Sequence, residues 1–64
     1  MVSTHIELNA FLKIHGIAST GGQAKNIIRS GEVFVNGSVD TRNKKKLYDG
    51  DVVAYNGKKY VVRL

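Results

Sequence analysis

The stretch STGGQAKNIIRSGEVFVNG, residues 19–37, changes from a helical to a strand pattern near its middle. In its first half, three apolar residues recur at helical spacing: Ala24, Ile27 and Ile28. Thr20 and Gln23 fit the S/T-x-x-E/Q capping box that begins many helices. Gly31 fits the glycine that commonly follows a helix. The pattern therefore predicts a helix over residues 20–30.

The second half of the stretch predicts a strand, because its residues alternate with a period of two. Val33 and Val35 fall on one face, and Phe34 falls on the other. Asn36-Gly37 is a strong signal for a tight hairpin turn. We therefore expect a short strand near residues 38–40 to pair back onto the first.

Upstream, residues 6–15 predict another helix. Three of its residues form an apolar stripe at helical spacing: Leu8, Phe11 and Leu12. Thr4 with Glu7 offers a second capping box, and Gly16 predicts where the helix ends. The few residues between the two helices predict that they pack closely against each other.

Downstream, turn signals separate short strands. Residues 41–46, TRNKKK, predict a basic loop, and Asp49-Gly50 predicts a turn into the strand DVVAY. Asn56-Gly57 predicts a hairpin into the final strand, KKYVVRL. The order of elements predicts an α+β fold with two N-terminal helices packed on a small antiparallel β-sheet, and the length predicts a single domain over residues 1–64.

The charge of the chain indicates the class of partner. Ten Lys and Arg against five Asp and Glu give a net charge of +5, which favours a polyanion. Without cysteine, and with His5 and His15 isolated, the chain predicts no metal site and no cofactor. It has no apolar run of membrane-spanning length and no signal-peptide pattern, so we expect a cytoplasmic protein that binds no membrane.

GIASTGGQAK, residues 16–25, nearly matches the phosphate-binding loop G-x-x-x-x-G-K-S/T. Gly22 stands where that motif needs Lys, and Gln23 stands where it needs Ser or Thr, so the sequence argues against a nucleotide site. Two roles stay open for Gly21 and Gly22. They are plain first-turn residues, or they let a phosphate approach the free N–H groups of the helix, with Lys25 one turn further on.

Residues 19–37, followed by a Thr-Arg pair, a basic loop and the run L-x-x-G-D-x-V at 47–53, resemble the RNA-binding domain named after small-subunit ribosomal protein S-four. The fold of that domain is called the alpha-L motif. The GG-x-A-K form in so short a chain resembles the stand-alone bacterial YbcJ/YaaA-like subfamily. Many relatives carry Arg where this chain has Gly21, so the resemblance implies a backbone contact there in place of a side-chain contact.

The resemblance implies a small protein that binds structured RNA, either ribosomal or transfer RNA, and acts in ribosome assembly or translation. Ribosomal particles are then a possible partner, and we expect a monomer. We predict that the RNA-binding residues lie on the second helix and in the basic loop: Gly21, Gly22, Lys25, Asn26, Arg29, Arg42, Lys44, Lys45 and Lys46.

Other roles stay open at this point. Phe34 and Tyr48 are candidates for stacking on unpaired bases. The alternative function is a protein-interaction module that offers its basic face to an acidic partner, with Phe34 as an anchor. No nucleophile–base set is visible, and Asp49 with Asp51 is better explained as a turn than as a metal site, so we predict no catalytic residues and no enzyme.

Overall fold

A computed structural model describes residues 4–64. Its elements, in chain order, are β1 His5–Glu7, α1 Leu8–Ile14, α2 Gly21–Arg29, β2 Val33–Val35, β3 Ser38–Val39, β4 Lys46–Tyr48, β5 Val52–Tyr55 and β6 Lys58–Val61. The strands form one four-stranded antiparallel sheet with the order β3-β2-β5-β6 and a separate antiparallel pair of β1 with β4. The predicted α+β class and the antiparallel sheet are confirmed.

The core lies between the helices and one face of the four-stranded sheet. The predicted apolar stripes supply it, and its fully buried side chains are Leu8, Leu12, Ala24, Ile28, Val33, Leu47, Val53 and Val62. Val33 and Val35 are buried while Phe34 between them is exposed, as the alternation predicts. The opposite face of this sheet points to solvent.

Two Asn-Gly turns set the register of the sheet. Asn36 and Gly37 have φ of 51° and 86°, and Asn56 and Gly57 have φ of 52° and 79°. Positive φ at both central residues defines the hairpin turn whose twist matches that of the flanking strands. Both predicted hairpins are therefore confirmed, and each has a two-residue loop.

The start of α2 is confirmed in detail. The Thr20 hydroxyl accepts a hydrogen bond from the Gln23 N–H at 3.1 Å, which satisfies one of the free donors of the first turn. The Gln23 side chain reaches one residue further back than a capping box requires and accepts from the Ser19 N–H at 2.5 Å. Gly31, with φ of 81°, follows the helix as predicted.

The predicted start of the first helix is wrong. Residues 5–7 form β1, where Ile6 pairs with Leu47 of β4, and α1 begins only at Leu8. The Thr4–Glu7 capping box is wrong as well, because Glu7 is itself the extended residue before the helix and its side chain makes no cap hydrogen bond. Lys46, predicted to belong to the basic loop, opens β4.

The basic loop caps α1 in place of a side chain. The N–H groups of Leu8 and Asn9 donate to the carbonyls of Lys45 and Asn43, at 2.8 and 3.1 Å. These are free donors of the first helical turn, which a buried helix start must satisfy. Residues 42–46, four of which are cationic, are therefore part of the folded framework. Within residues 4–64, no helix has the length and apolar character needed to cross a membrane.

Candidate functional site

The loop before β4 borders an open groove of about 480 Å³, which we call the basic groove. It is lined by Arg42, Lys44, Lys45, Lys46 and Tyr48. A second concavity of about 360 Å³ adjoins it and extends toward the β2–β3 hairpin, where Asn36 and Ser38 contribute to its wall. The four loop cations predicted from the sequence thus line one continuous surface.

Arg42 is held in place by Asp40. The Asp40 carboxylate accepts the Arg42 backbone N–H and Nε at 3.0 Å each, and Nη2 at 2.7 Å. Asp40 is buried, whereas the Arg42 side chain is 69% exposed, so the guanidinium retains donors that face solvent. The hydrogen bonds from the Arg42 side chain lower the pKa of Asp40, and the positive charge of Lys45 adds to this effect. Asp40 therefore orients a cation toward the basic groove.

A second carboxylate, Asp51, fixes the other wall. Asp51 accepts the Tyr48 N–H at 2.8 Å, and its other oxygen accepts from the Asn36 side chain at 3.2 Å. The Tyr48 N–H is the main cause of the lowered pKa of Asp51, and Lys45 again contributes. Asp49 accepts the Leu64 N–H at 2.9 Å. Both carboxylates of the D-G-D run thus stabilise the turn and the strands around it.

The exposed face of α2 forms a second surface, which we call the helix surface: Gly21, Gly22, Lys25, Asn26 and Arg29. None of these residues lines the basic groove. Among the described residues, the side chains of Lys25, Asn26 and Arg29 have no hydrogen-bond or ion-pair partner. The opposite face of the helix is buried through Ala24 and Ile28. The polar side chains of the helix surface therefore make no hydrogen bond or ion pair with the described part of the fold.

The two glycines of the helix surface have no steric reason to be glycine. A Cβ added at Gly21 would meet nothing within 4 Å, and one at Gly22 would meet only the Thr20 hydroxyl at 3.9 Å. Neither has a positive φ, in contrast to Gly16 and Gly31 at the helix ends. Because alanine favours helix more than glycine does, the fold alone would gain from alanine at both positions.

The family model of the S4 domain matches residues 2–63. This chain belongs to the S4 domain family. Among its relatives, YbcJ of Escherichia coli (strain K12) is 42% identical over 53 residues, which cover 83% of this chain and 76% of YbcJ. The protein of Bacillus subtilis (strain 168) named "Probable ribosome maturation protein RlbA" is 44% identical over 52 residues, 81% of this chain and 73% of its own.

The solution structure of Escherichia coli YbcJ, described as an alpha-L motif involved in RNA binding, superposes on this S4 domain with a TM-score of 0.72. The match has 36% identity and covers 100% of this chain and 81% of that one. It confirms the fold and the family that the motifs of residues 19–53 predicted.

Sequence reasoning missed the residues that support this S4 domain's cations. Asp40 was not predicted to contribute, although a carboxylate two residues before Arg42 at a strand end is a recognisable local signal. The capping role of the Asn43 and Lys45 carbonyls left no such signal, because a backbone carbonyl is present at every position. Asp51 was predicted only to make a turn, and its bond to Tyr48 depends on the fold.

Proposed function

We propose that this protein binds structured RNA, mainly through phosphates and shape, at the basic groove and the helix surface. The observation that carries the proposal is the clustering of four cations around one open groove, with Asp40 orienting one of them. A groove lined by Lys and Arg attracts a polyanion and releases its counterions. The description of the related YbcJ structure as an RNA-binding motif supports RNA as that polyanion.

The helix surface adds a second set of contacts in this proposal. Lys25 and Arg29 supply charge, Asn26 offers hydrogen bonds to sugar or base edges, and Gly21 with Gly22 lets a phosphate approach the helix N–H groups. Their lack of any steric role in the fold supports this assignment. The two surfaces together would neutralise about four to six phosphates.

We further propose that the RNA is ribosomal or transfer RNA and that the protein acts as a cytoplasmic monomer in ribosome assembly or another translation step. The name of the Bacillus subtilis relative supports the ribosomal assignment. The proposed activity is binding without a chemical step on the RNA.

A salt titration with a charge-reversed groove tests the proposal. The variant Lys44→Glu with Lys46→Glu lowers the net charge by four, from +5 to +1. Lys45 stays in place, because a glutamate there would face both Asp40 and Asp51. We expect the wild type to bind folded ribosomal RNA fragments with a slope of roughly −4 to −5 in log affinity against log salt. The variant should lose roughly two units of that slope.

The matched control is Lys58→Glu with Lys59→Glu. It makes the same change of charge on β6, at the opposite edge of the four-stranded sheet from β3. This control should keep the slope and most of the affinity. No binding of the wild type at low salt, or equal losses in the two variants, would contradict an RNA site at the basic groove.

The alternative function, a protein-interaction module, would use exposed apolar side chains. Phe34 is 39% exposed, and Val39 opposite it on β3 is 51% exposed. This alternative has its own test. Proteins captured by the wild type from a lysate are compared with and without RNase treatment. We expect the captured proteins to be lost on RNase treatment, since RNA would bridge them. Partners that survive RNase treatment and disappear with Phe34→Ala would favour the interaction module.

A further inference from the structure

Tyr48 is an exposed aromatic side chain on a fixed backbone. The residue is 49% exposed, although Leu47 beside it is fully buried. Its N–H donates to the Asp51 carboxylate at 2.8 Å, and its carbonyl accepts the Asp51 N–H at 3.0 Å. Across the β1–β4 pair it lies opposite His5, with ring centroids 6.1 Å apart. The backbone that carries this exposed ring is therefore held from both sides.

The surroundings of Tyr48 are mainly cationic, and the two carboxylates of the second concavity, Asp40 and Asp51, are hydrogen-bonded within the fold. The ring borders both concavities of the site, and Arg42, Lys45 and Lys46 border both with it. Cations that hold a phosphate backbone beside an aromatic ring bring the attached base to that ring. Sequence-specific and single-strand RNA recognition commonly combines these two features.

Phe34 provides the contrast within the same molecule. It is also exposed, at 39%, but its cross-strand neighbours on β3 and β5 are Val39 and Ala54. It lines neither concavity of the basic site. Neither cross-strand neighbour of Phe34 carries a charge that could position a nucleic-acid backbone. The two exposed rings therefore differ in what they can bind.

We propose that Tyr48 stacks on a single unpaired base of the bound RNA. The inference rests on the proposed RNA-binding function and specifies the ligand as a helix interrupted by a bulge or loop. The cations of the basic groove hold the phosphates on either side of the unpaired nucleotide, and the base turns onto the Tyr48 ring. A fully paired helix would use the cations alone.

The test uses two RNA hairpins, each closed by a non-nucleotide linker so that neither has unpaired loop bases. One carries a single bulged 2-aminopurine and the other is fully paired, and both are measured at the same salt. The bulged hairpin should bind the wild type more tightly, and its 2-aminopurine fluorescence should fall on binding because stacking quenches it. Tyr48→Ala should weaken binding of the bulged hairpin by roughly 5- to 100-fold and leave the paired hairpin within about twofold. Tyr48→Phe should keep both the affinity and the quenching.

Three further samples complete the design. Phe34→Ala removes an exposed ring outside the basic groove and should leave the preference for the bulge unchanged. Tyr48→Leu keeps apolar bulk on β4, so it separates loss of stacking from loss of folding and should behave like Tyr48→Ala. Lys44→Glu with Lys46→Glu should weaken binding of both hairpins.

The outcomes separate the two proposals. Equal losses for both hairpins in Tyr48→Ala, or no loss for either, would overturn the stacking inference while the lysine variant still supports RNA binding. A wild type that binds neither hairpin at low salt would overturn both. Unchanged fluorescence on binding of the bulged hairpin would also overturn stacking.

Discussion

The basic groove and the helix surface both carry cationic side chains, but they differ in how far their residues contact the rest of the fold. In the loop that borders the groove, Arg42 is bound by Asp40, and the carbonyls of Asn43 and Lys45 cap α1. On the helix surface, the side chains of Lys25 and Arg29 have no partner among the described residues. A change at Arg42 or Lys45 therefore also disturbs the contacts of the fold, whereas a change at Lys25 or Arg29 breaks no side-chain hydrogen bond or ion pair within residues 4–64.

A stability effect can therefore be mistaken for a binding effect at the groove. Lys45 is half-buried, and its charge lowers the pKa of both Asp40 and Asp51. Reversal of that charge would bring three carboxylates together. Lys44 is exposed and contributes to neither pKa shift. Lys46 is also exposed but lies opposite Glu7 across the β1–β4 pair, so thermal melting must accompany every binding measurement on the Lys44→Glu with Lys46→Glu variant.

The largest effect is expected when both surfaces are changed together. Lys25→Glu with Arg29→Glu should weaken RNA binding by roughly tenfold or more, because two charge-assisted phosphate contacts are lost. Combination with Lys44→Glu and Lys46→Glu should multiply the two losses, since separate contacts to one RNA contribute independently. Gel-shift titrations give the RNA affinities of the wild type, the two double variants and the combined variant, which together form a double-mutant cycle.

Two controls accompany this cycle. Combining the helix pair with Lys58→Glu and Lys59→Glu gives the same net charge of −3, from +5 less eight, but should lose only the helix contribution. Thermal melting should show only a small loss of stability for the helix pair, because Arg29 lies in the last turn of α2, where a negative charge opposes the helix dipole. If the combined groove and helix variant binds no more weakly than one pair alone, the two surfaces do not contact the same RNA.

Much of this comparison could be predicted from sequence, because the decisive signals are local. The α2 periodicity, the Thr20 cap and both Asn-Gly hairpins each depend on residues a few positions apart, and the structure has all of them. The cations of the basic loop were equally visible. They lie within five consecutive residues, so their clustering needs little help from the fold.

What sequence could not predict depends on pairing between distant residues. The three-residue strand β1 exists because His5, Ile6 and Glu7 pair with residues some forty positions away, while Ile6 also suits a helical stripe. Strand preference in so short a segment depends on its partner more than on its own residues. The loop cap on α1 and the Asp51 bond to Tyr48 arise in the same way.

An intermediate effect is expected from Asp40→Asn, which tests the link between the groove and the fold. Asparagine can still accept the Arg42 N–H, but it removes the negative charge and places an amide among the guanidinium donors. We expect a loss of about 1–3 kcal/mol in the free energy of unfolding, the usual cost of leaving a buried polar group without a partner. Urea denaturation measures it. Asp49→Asn is the control, because Asp49 is exposed and an asparagine there can still accept the Leu64 N–H.

Acid provides an independent check on the same carboxylate. Hydrogen bonds from Arg42 lower the pKa of Asp40 below its ordinary 3.8, so the folded state favours the charged form. The stability that Asp40 adds is then fully present above pH 3.8 and is lost as the pH falls through its folded-state pKa. Asp40→Asn should show a weaker loss of stability in acid than the wild type. Identical acid profiles would mean that the ion pair does not stabilise the fold.

The smallest effect, and the sharpest separation of the two surfaces, is expected at Gly21 and Gly22. Alanine at either position meets no close neighbour and should raise stability by a few tenths of a kcal/mol, because glycine is the poorer helix former. The added methyl groups should nevertheless weaken RNA binding severalfold, since they would stand between a phosphate and the helix N–H groups. Gly57→Ala should show the opposite pattern, a loss of stability with RNA affinity retained, because its φ of 79° strains an alanine at a turn that belongs to neither surface. A rise in stability with unchanged RNA affinity for the helix variants would mean that these glycines only begin the helix, whereas a rise in stability with a loss of affinity would assign them to the ligand.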